Sequence, residues 1–185
     1  MADATIDATT DAYIDTADLR LVELPYVAQL NIRLDPKSPA AGAVGVALGL
    51  DLPTDPNTVT AHGNLTALWL GPDEWLLTAP PGTAADLEAR VRTAGAAAVT
   101  DVSANRVTLL LTGPRARDLL AHGCALDLHP RAFPPGRCAQ TMLARAQVVL
   151  AAQDEGFRIL VRSSFAGYLT DWLRDAATEY TRPRE

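Results

Sequence analysis

Residues 26–34, YVAQLNIRL, alternate: Ala28, Leu30, Ile32 and Leu34 fall on one side, Gln29, Asn31 and Arg33 on the other. A period of two predicts a strand with one buried face, ended by Asp35-Pro36. Residues 38–49 are small and apolar, which predicts a helix weakened by Gly42 and Gly45. DLPTDPNTV (51–59) is dense in turn residues and predicts a loop. TALWL (66–70) and WLLTA (75–79) predict two strands of a hairpin whose turn is GPDE, with Pro72 fixing φ. After Pro80-Pro81-Gly82, Thr83 is expected to cap a helix, with Asp86 three residues on, close to a capping box. Leu87 and Val91 share its inner face and Gly95 ends it; AAVTDVS (97–103) predicts another strand. The order strand–helix–strand–strand–helix–strand is that of a ferredoxin-like split βαβ unit.

The second half opens with the strand RVTLLL (106–111), followed by Thr112-Gly113 and Pro114 at an expected first helical position. Leu119 and Leu120 face inward and Gly123 is expected to stop the helix. HPRAFPPG reads as a loop, and CAQTMLA, AQVVLAA and FRILVR as three strands, the last two joined through QDEG. Ser163 or Ser164 caps a final helix with the apolar stripe Phe165, Leu169, Trp172, Leu173, Ala176 and Tyr180, while Asp171, Arg174 and Asp175 face water. LWLGPDEWLL (68–77) and LLLTGPRARDLL (109–120) share the order apolar run, Gly-Pro, charge, apolar run. That repetition marks reversal after a buried strand in two related halves. The fold class is therefore α+β, with mixed or antiparallel sheets and helices packed on them. Residues 21–180 form one domain with halves of about 21–103 and 104–180, and order is expected to begin near Leu19.

Charge changes the picture at the N-terminus. Residues 1–19 hold Asp3, Asp7, Asp11, Asp15 and Asp18 and no Lys or Arg, so this stretch carries most of the net −6. Aspartates at near-fourth positions repel along a helix, and residues 1–20 read as a flexible acidic tail, with an arm laid on a partner as the functional alternative. The near-neutral remainder lacks the basic stripe of a nucleic-acid binder. The first residues have neither the basic nor the apolar region of a secretory signal, and SPAAGAVGVALGL (38–50) is too short to cross a bilayer. A cytoplasmic protein with reduced Cys124 and Cys138 follows, which argues against a disulfide between them.

Candidate chemistry is sparse. His122, Cys124, His129 and Cys138 are the best metal set, but one and thirteen intervening residues are poor zinc spacing, and a helix end, a loop and a buried thiol explain them. No G-x-S-x-G occurs, and Gly42, Gly45 and Gly49 form no phosphate loop. Arg158 and Arg162 alternate on one strand and Asp101 ends another, as a carboxylate site or an ion pair on a solvated face.

Three stretches taken together resemble a known family: LWLGPDEWLL, TDVSANRVTLLLTGPRARDLLAHGCALDL and FPPGRCAQTMLARAQVVLAAQDEGFRILVRSSFAGYLTDWL. From about Leu24 to Tyr180 the chain resembles the gamma subunit family of heterotetrameric sarcosine oxidase, itself similar to the folate-binding domains of the aminomethyltransferase (T-protein) superfamily. The resemblance implies a complex of alpha, beta, gamma and delta chains that oxidatively demethylates sarcosine to glycine, giving hydrogen peroxide and, with tetrahydrofolate, 5,10-methylenetetrahydrofolate. It implies that FAD, covalent FMN, NAD, tetrahydrofolate and zinc belong to partner chains, and that gamma has no catalytic, cofactor-binding or metal residues. Catalytic T-proteins carry an acidic residue in the hairpin after the PG loop, and TMLARAQVVL (141–150) has no Asp or Glu; the chain is also too short for their further C-terminal domains. The alternative is a free-standing folate or one-carbon-binding module of the same superfamily. Its iron–sulfur-assembly relatives carry K-G-C-Y-x-G-Q-E, which this chain lacks. An RNA-binding ferredoxin-like module fares worst, because the first-half strands show few basic residues.

Overall fold

The computed structural model describes residues 12–95 and 98–181. These fall into two compact units, one of Tyr26–Ala104 and one of residues 12–25 with 105–181. Order begins before Leu19. β1 (Ala12–Asp15) lies inside the stretch expected to be tail and pairs antiparallel with β2 (Arg20–Glu23), which begins where order was expected. Ile14, Leu19 and Leu21 are buried there, while Asp15 and Asp18 point outward. Three buried side chains among acidic neighbours are enough to hold short strands once a sheet accepts them, and β2 pairs along β8. The remainder of the expected tail lies outside the described residues.

In the first unit the chain runs β3 (Ala28–Arg33), α1 (Pro39–Leu48), β4 (Val59–His62), β5 (Leu65–Gly71), β6 (Glu74–Ala79), α2 (Ala84–Ala94) and β7 (Ala98–Asp101). The sheet order is β4-β5-β6-β3-β7, antiparallel throughout. Without β4 this is the split βαβ order expected; β4 is an added edge strand within the segment VTAH that begins where the predicted loop ends. Ala28, Leu30, Ile32 and Leu34 share a core with Val44 and Leu48 of α1, Trp75 and Leu77 of β6, and Leu87 and Val91 of α2. Trp75 Nε1–H donates to the Pro53 carbonyl at 2.7 Å, which ties the predicted loop to the core. The polar side of β3 is solvated only toward its end: Gln29 is buried, Asn31 half-buried and Arg33 exposed.

Pro39 opens α1 at a position that needs no N–H, and Gly49 closes it at φ 67°, in the left-handed region. The capping box of α2 does not form. The Thr83 hydroxyl donates back to the Pro80 carbonyl at 2.7 Å and leaves the helix N–H groups alone. β7 closes through Ser103, whose buried hydroxyl accepts the Gln29 N–H at 2.8 Å and donates to Asp101.

The second unit continues with β8 (Arg106–Thr112), α3 (Ala116–Ala121), β9 (Cys138–Leu143), β10 (Ala146–Gln153), β11 (Gly156–Arg162) and α4 (Ser163–Thr181). Its sheet order is β1-β2-β8-β11-β10-β9, again antiparallel. Leu109, Leu111, Val148, Leu150, Phe157, Ile159 and Val161 face Leu119, Leu120, Leu169, Leu173 and Ala177 of the helices. Four local expectations are corrected. Pro114 stands in the turn before α3, because Arg115 is the residue flanking Ala116. Ser163 and Ser164 are the first residues of α4 itself, which starts directly after β11. Phe165 leaves the apolar stripe and is 42% exposed, while Ala177 takes a buried place in it. Gly123 follows a helix end already made at Ala121 and serves packing: a Cβ there would lie 2.6 Å from Trp172 Cη2 and 2.9 Å from the Ala144 nitrogen.

Gly123→Ala should therefore destabilise the chain by about 1–3 kcal/mol through overpacking against an aromatic ring and a backbone nitrogen. Thermal denaturation reads this as a Tm lower by roughly 2–4 °C per kcal/mol. Asp101 accepts hydrogen bonds from the Ser103 hydroxyl and then from the Ser103 N–H, which hold its carboxyl below the ordinary range. A depressed folded pKa gives stability that is complete above the unfolded carboxylate pKa and lost as pH falls toward the folded one. Asp101→Asn should accordingly flatten the acid limb of the stability profile between about pH 5 and pH 2, measured by denaturant midpoints. Ser103→Ala should do the same and in addition lower stability at neutral pH by about 1–3 kcal/mol, because the buried Gln29 N–H loses its acceptor.

Candidate functional site

The residues with chemical potential sit in separate places. His122, at the C-cap of α3, faces the end of α4: its Nε2 is 2.7 Å from the Tyr180 hydroxyl and 3.5 Å from Glu179 Oε2. Burial comes first in raising the Tyr180 pKa, with Glu179 and Asp118 adding to it; the Arg115 guanidinium lies 5.9 Å above the Tyr180 ring. Cys124 is buried beside β9, its Sγ 4.0 Å from Thr141 Oγ1 and its backbone bridged to Leu143. His129 lies in the loop after α3, where Nδ1 accepts the Arg131 N–H at 3.2 Å. Cys138 begins β9, fully buried, and neither cysteine is in a disulfide. Among the described residues no three His, Cys, Asp or Glu side chains converge as metal ligands do. Arg158 and Arg162 share a face of β11 in the second unit, whereas Asp101 belongs to β7 in the first. Ser163 and Ser164 are exposed on the first turn of α4, and neither has a neighbouring base among the described hydrogen bonds.

Two concave features remain. In the second unit a cleft of about 530 Å³ is lined by Thr112, Gly113, Arg117, Gln153, Asp154 and Glu155. Arg117 is spent on structure there: it donates to the carbonyls of Leu128 and Phe133 and lies 4.9 Å over the Phe157 ring. Phe133 stacks on Phe157 at 6.5 Å, so this one guanidinium fastens the loop HPRAFPPG to β11. In the first unit α1 and α2 leave an apolar groove of about 630 Å³ along Ala43, Val46, Ala47, Ala89 and Thr93, edged by Arg90, whose Nε donates to the Ala47 carbonyl at 2.9 Å. Val46 is 84% exposed in a helix without one charged or polar side chain, PAAGAVGVAL. The sequence signal for this feature is the absence of any polar residue between Pro39 and Leu48.

An acid-dependent folate site of the T-protein kind would need its carboxylate on the β9–β10 hairpin. Along 141–150 the hairpin offers Thr141, Met142, Arg145 and Gln147 outside the core and no carboxylate. The residues present do not fit the acid-dependent folate chemistry of catalytic T-proteins. No helix among the described residues is long and apolar enough to cross a membrane.

Comparison with known proteins places this geometry. Residues 33–179 match the family described as the sarcosine oxidase, gamma subunit family. A sarcosine oxidase subunit gamma from Arthrobacter sp is 39% identical over 166 residues, 88% of this chain and 82% of that one. A chain of the heterotetrameric sarcosine oxidase from Corynebacterium sp. U-96, in complex with pyrrole 2-carboxylate, superposes with a TM-score of 0.85 at 34% identity, covering 93% of this chain and 90% of that chain. The glycine cleavage system aminomethyltransferase T from Bartonella henselae shares the fold, with a TM-score of 0.62 at 19% identity over 85% of this chain and 45% of its own. The resemblance read from the Gly-Pro stretches and RSSFAGYLTDWL thus holds along nearly the whole chain, and the chain belongs to the sarcosine oxidase gamma subunit family.

Proposed function

We propose that this chain is the non-catalytic gamma subunit of a cytoplasmic heterotetrameric sarcosine oxidase and assembles with alpha, beta and delta chains. The assembly converts sarcosine to glycine with oxygen as acceptor, releasing hydrogen peroxide and, with tetrahydrofolate, 5,10-methylenetetrahydrofolate. FAD, FMN, NAD, tetrahydrofolate and zinc are held by the partner chains. The observation that carries the reading is the extent of the likeness: it covers 93% of this chain and 90% of a chain in a heterotetrameric oxidase.

Physical chemistry supports the same reading. Chemistry needs an acid, base or nucleophile placed against an open site. Here His122 is bonded to Tyr180, His129 to its own loop and Arg117 to two carbonyls. The hairpin that would hold a pterin supplies no carboxylate. A helix that is apolar all round is at home between two covers, and α1 has one.

Co-expression with the alpha, beta and delta chains is expected to yield one species through ion exchange and sizing, with gamma in equal stoichiometry. Tetrahydrofolate titrated into the isolated chain is expected to give no heat and no fluorescence change at micromolar concentration. Micromolar binding by the lone chain, together with failure to co-purify, would assign it to a free-standing one-carbon-binding module instead.

A further inference from the structure

Val46 is the most exposed large hydrophobic side chain among the described residues, at 84% against 58% for Tyr26. It belongs to an outward face of α1 on which Pro39, Gly42 and Ala43 are also exposed. The groove beside that face is preformed. At one end a Cβ on Gly95, just past α2, would lie 3.0 Å from Ala40 Cβ near the start of α1. At the other end the Arg90 guanidinium donates to the Ala47 carbonyl and pairs with Asp86 at 3.7 Å. The two helices therefore run antiparallel and are pinned at both ends. Between the pins, Ala43, Val46, Ala89 and Thr93 line the space of about 630 Å³.

Two glycines interrupt α1, and only one is explained by the chain itself. A Cβ at Gly45 would lie 3.1 Å from Asp51 Oδ1. A Cβ at Gly42 would meet nothing within 4 Å, and Gly42 is not in the positive-φ region. Glycine inside a helix costs stability relative to alanine. Neither space nor conformation in this chain asks for it, whereas a second backbone lying close against this face does.

Charge and area select the occupant. Arg90 is paired with Asp86, and Arg92 with Glu88 at 2.6 Å, so the charges along α2 are met within the chain. An occupant that brought a charge into the groove would bury it unpaired. A ten-residue helix is about 15 Å long and 10 Å wide. Such a face offers roughly 150 Å², against about 800 Å² per partner in a standard stable interface. A second copy meeting this one through α1 alone falls well short of that. A chain that already holds this one through further surface does not.

We infer that the α1–α2 groove docks an uncharged apolar helix of a partner oxidase chain, seated along Val46 with its backbone close to Gly42. The inference rests on the reading of this chain as a subunit. A groove 15 Å long matches about ten residues of helix, so the occupant presents large aliphatic side chains at i, i+4 and i+7 to the small residues of the groove.

The test uses the four chains expressed together, with Val46→Glu, Val46→Lys and Gly42→Ala variants of this one, and reads its retention by a tagged partner chain. Both charged variants should weaken retention at least tenfold, because an apolar occupant rejects either sign. The full chain alone should keep its Tm within about 2 °C in both, since the position is exposed. Gly42→Ala should raise that Tm by roughly 1–4 °C and still weaken retention several-fold, which separates lost docking from lost folding. Wild-type assembly with undiminished retention of all three variants would overturn the groove and leave the subunit reading standing. Loss with one sign of charge only would overturn the uncharged occupant. Undiminished Gly42→Ala beside lost Val46 variants would overturn the close backbone approach. Failure of the wild-type chain to assemble would overturn the subunit reading and this groove with it. Concentration-dependent self-association of the lone chain, abolished by Val46→Glu, would give the groove to a second copy and overturn the proposed partner.

Discussion

The backbone of β8 is approached so closely on both sides that two positions admit no side chain at all. At Gly113 a Cβ would lie 2.3 Å from the Asp18 carbonyl oxygen, and at Gly156 one would lie 2.1 Å from that of Leu111. These contacts let β2 and β11 pair with β8 from either flank, and β11 runs seven consecutive pairs from Gly156–Thr112 to Arg162–Arg106. Everything in the second unit is built on that ladder. Leu109 and Leu111 point into the helix-covered core, and Leu110 groups with Val22 and Leu24 on the other face. The register that results also decides which charges meet at the ends of the sheet.

The same constraint separates the two Gly-Pro stretches that look alike in the sequence. In LLLTGP the glycine is required because the backbone of the β1–β2 connection, at Asp18 and Leu19, touches it. In LWLGPDEW a Cβ at Gly71 would meet only Glu74 Cβ, at 3.5 Å, an ordinary contact. There the conserved-looking letters serve a hairpin, and Arg33 holds its turn at 3.6 Å from Asp73 and 3.3 Å from Glu74. Identical local patterns therefore report chain reversal, while the reason for each residue lies in what the reversed chain packs against.

That distinction explains what was legible. Alternation and helical spacing located β3, β5–β7 and β8–β11, together with all four helices. β1 and β4 have four residues each, too few for a period to emerge from acidic and threonine-rich surroundings. End signals fared worse. Thr83 and Ser163 have the chemistry of caps, yet a hydroxyl can turn to a nearby carbonyl, or a strand can pass straight into a helix, and neither choice is encoded locally. Phe165 fits the apolar stripe by spacing, but α4 starts directly where β11 ends, and the Phe165 ring stays 42% exposed against Tyr168. His122 and His129 lie close in sequence to Cys124 but are bonded elsewhere, His122 to Tyr180 and His129 to its own loop.

The fold shared with the aminomethyltransferase shows how little of a site the architecture itself carries. A scaffold of this kind is specified by apolar periods, by glycines at close strand contacts and by loops tied down through groups such as Arg117 and Trp75. None of these depends on a carboxylate in the β9–β10 hairpin: Val148 and Leu150 face the core and Gln147 and Met142 face out. Stability and chemistry are thus separable properties of the chain. What stability does not explain is left visible on the surface, and one feature stands out on that criterion: an α1 without polar residues, with Val46 84% exposed. A packed scaffold carries such an apolar face where another surface covers it.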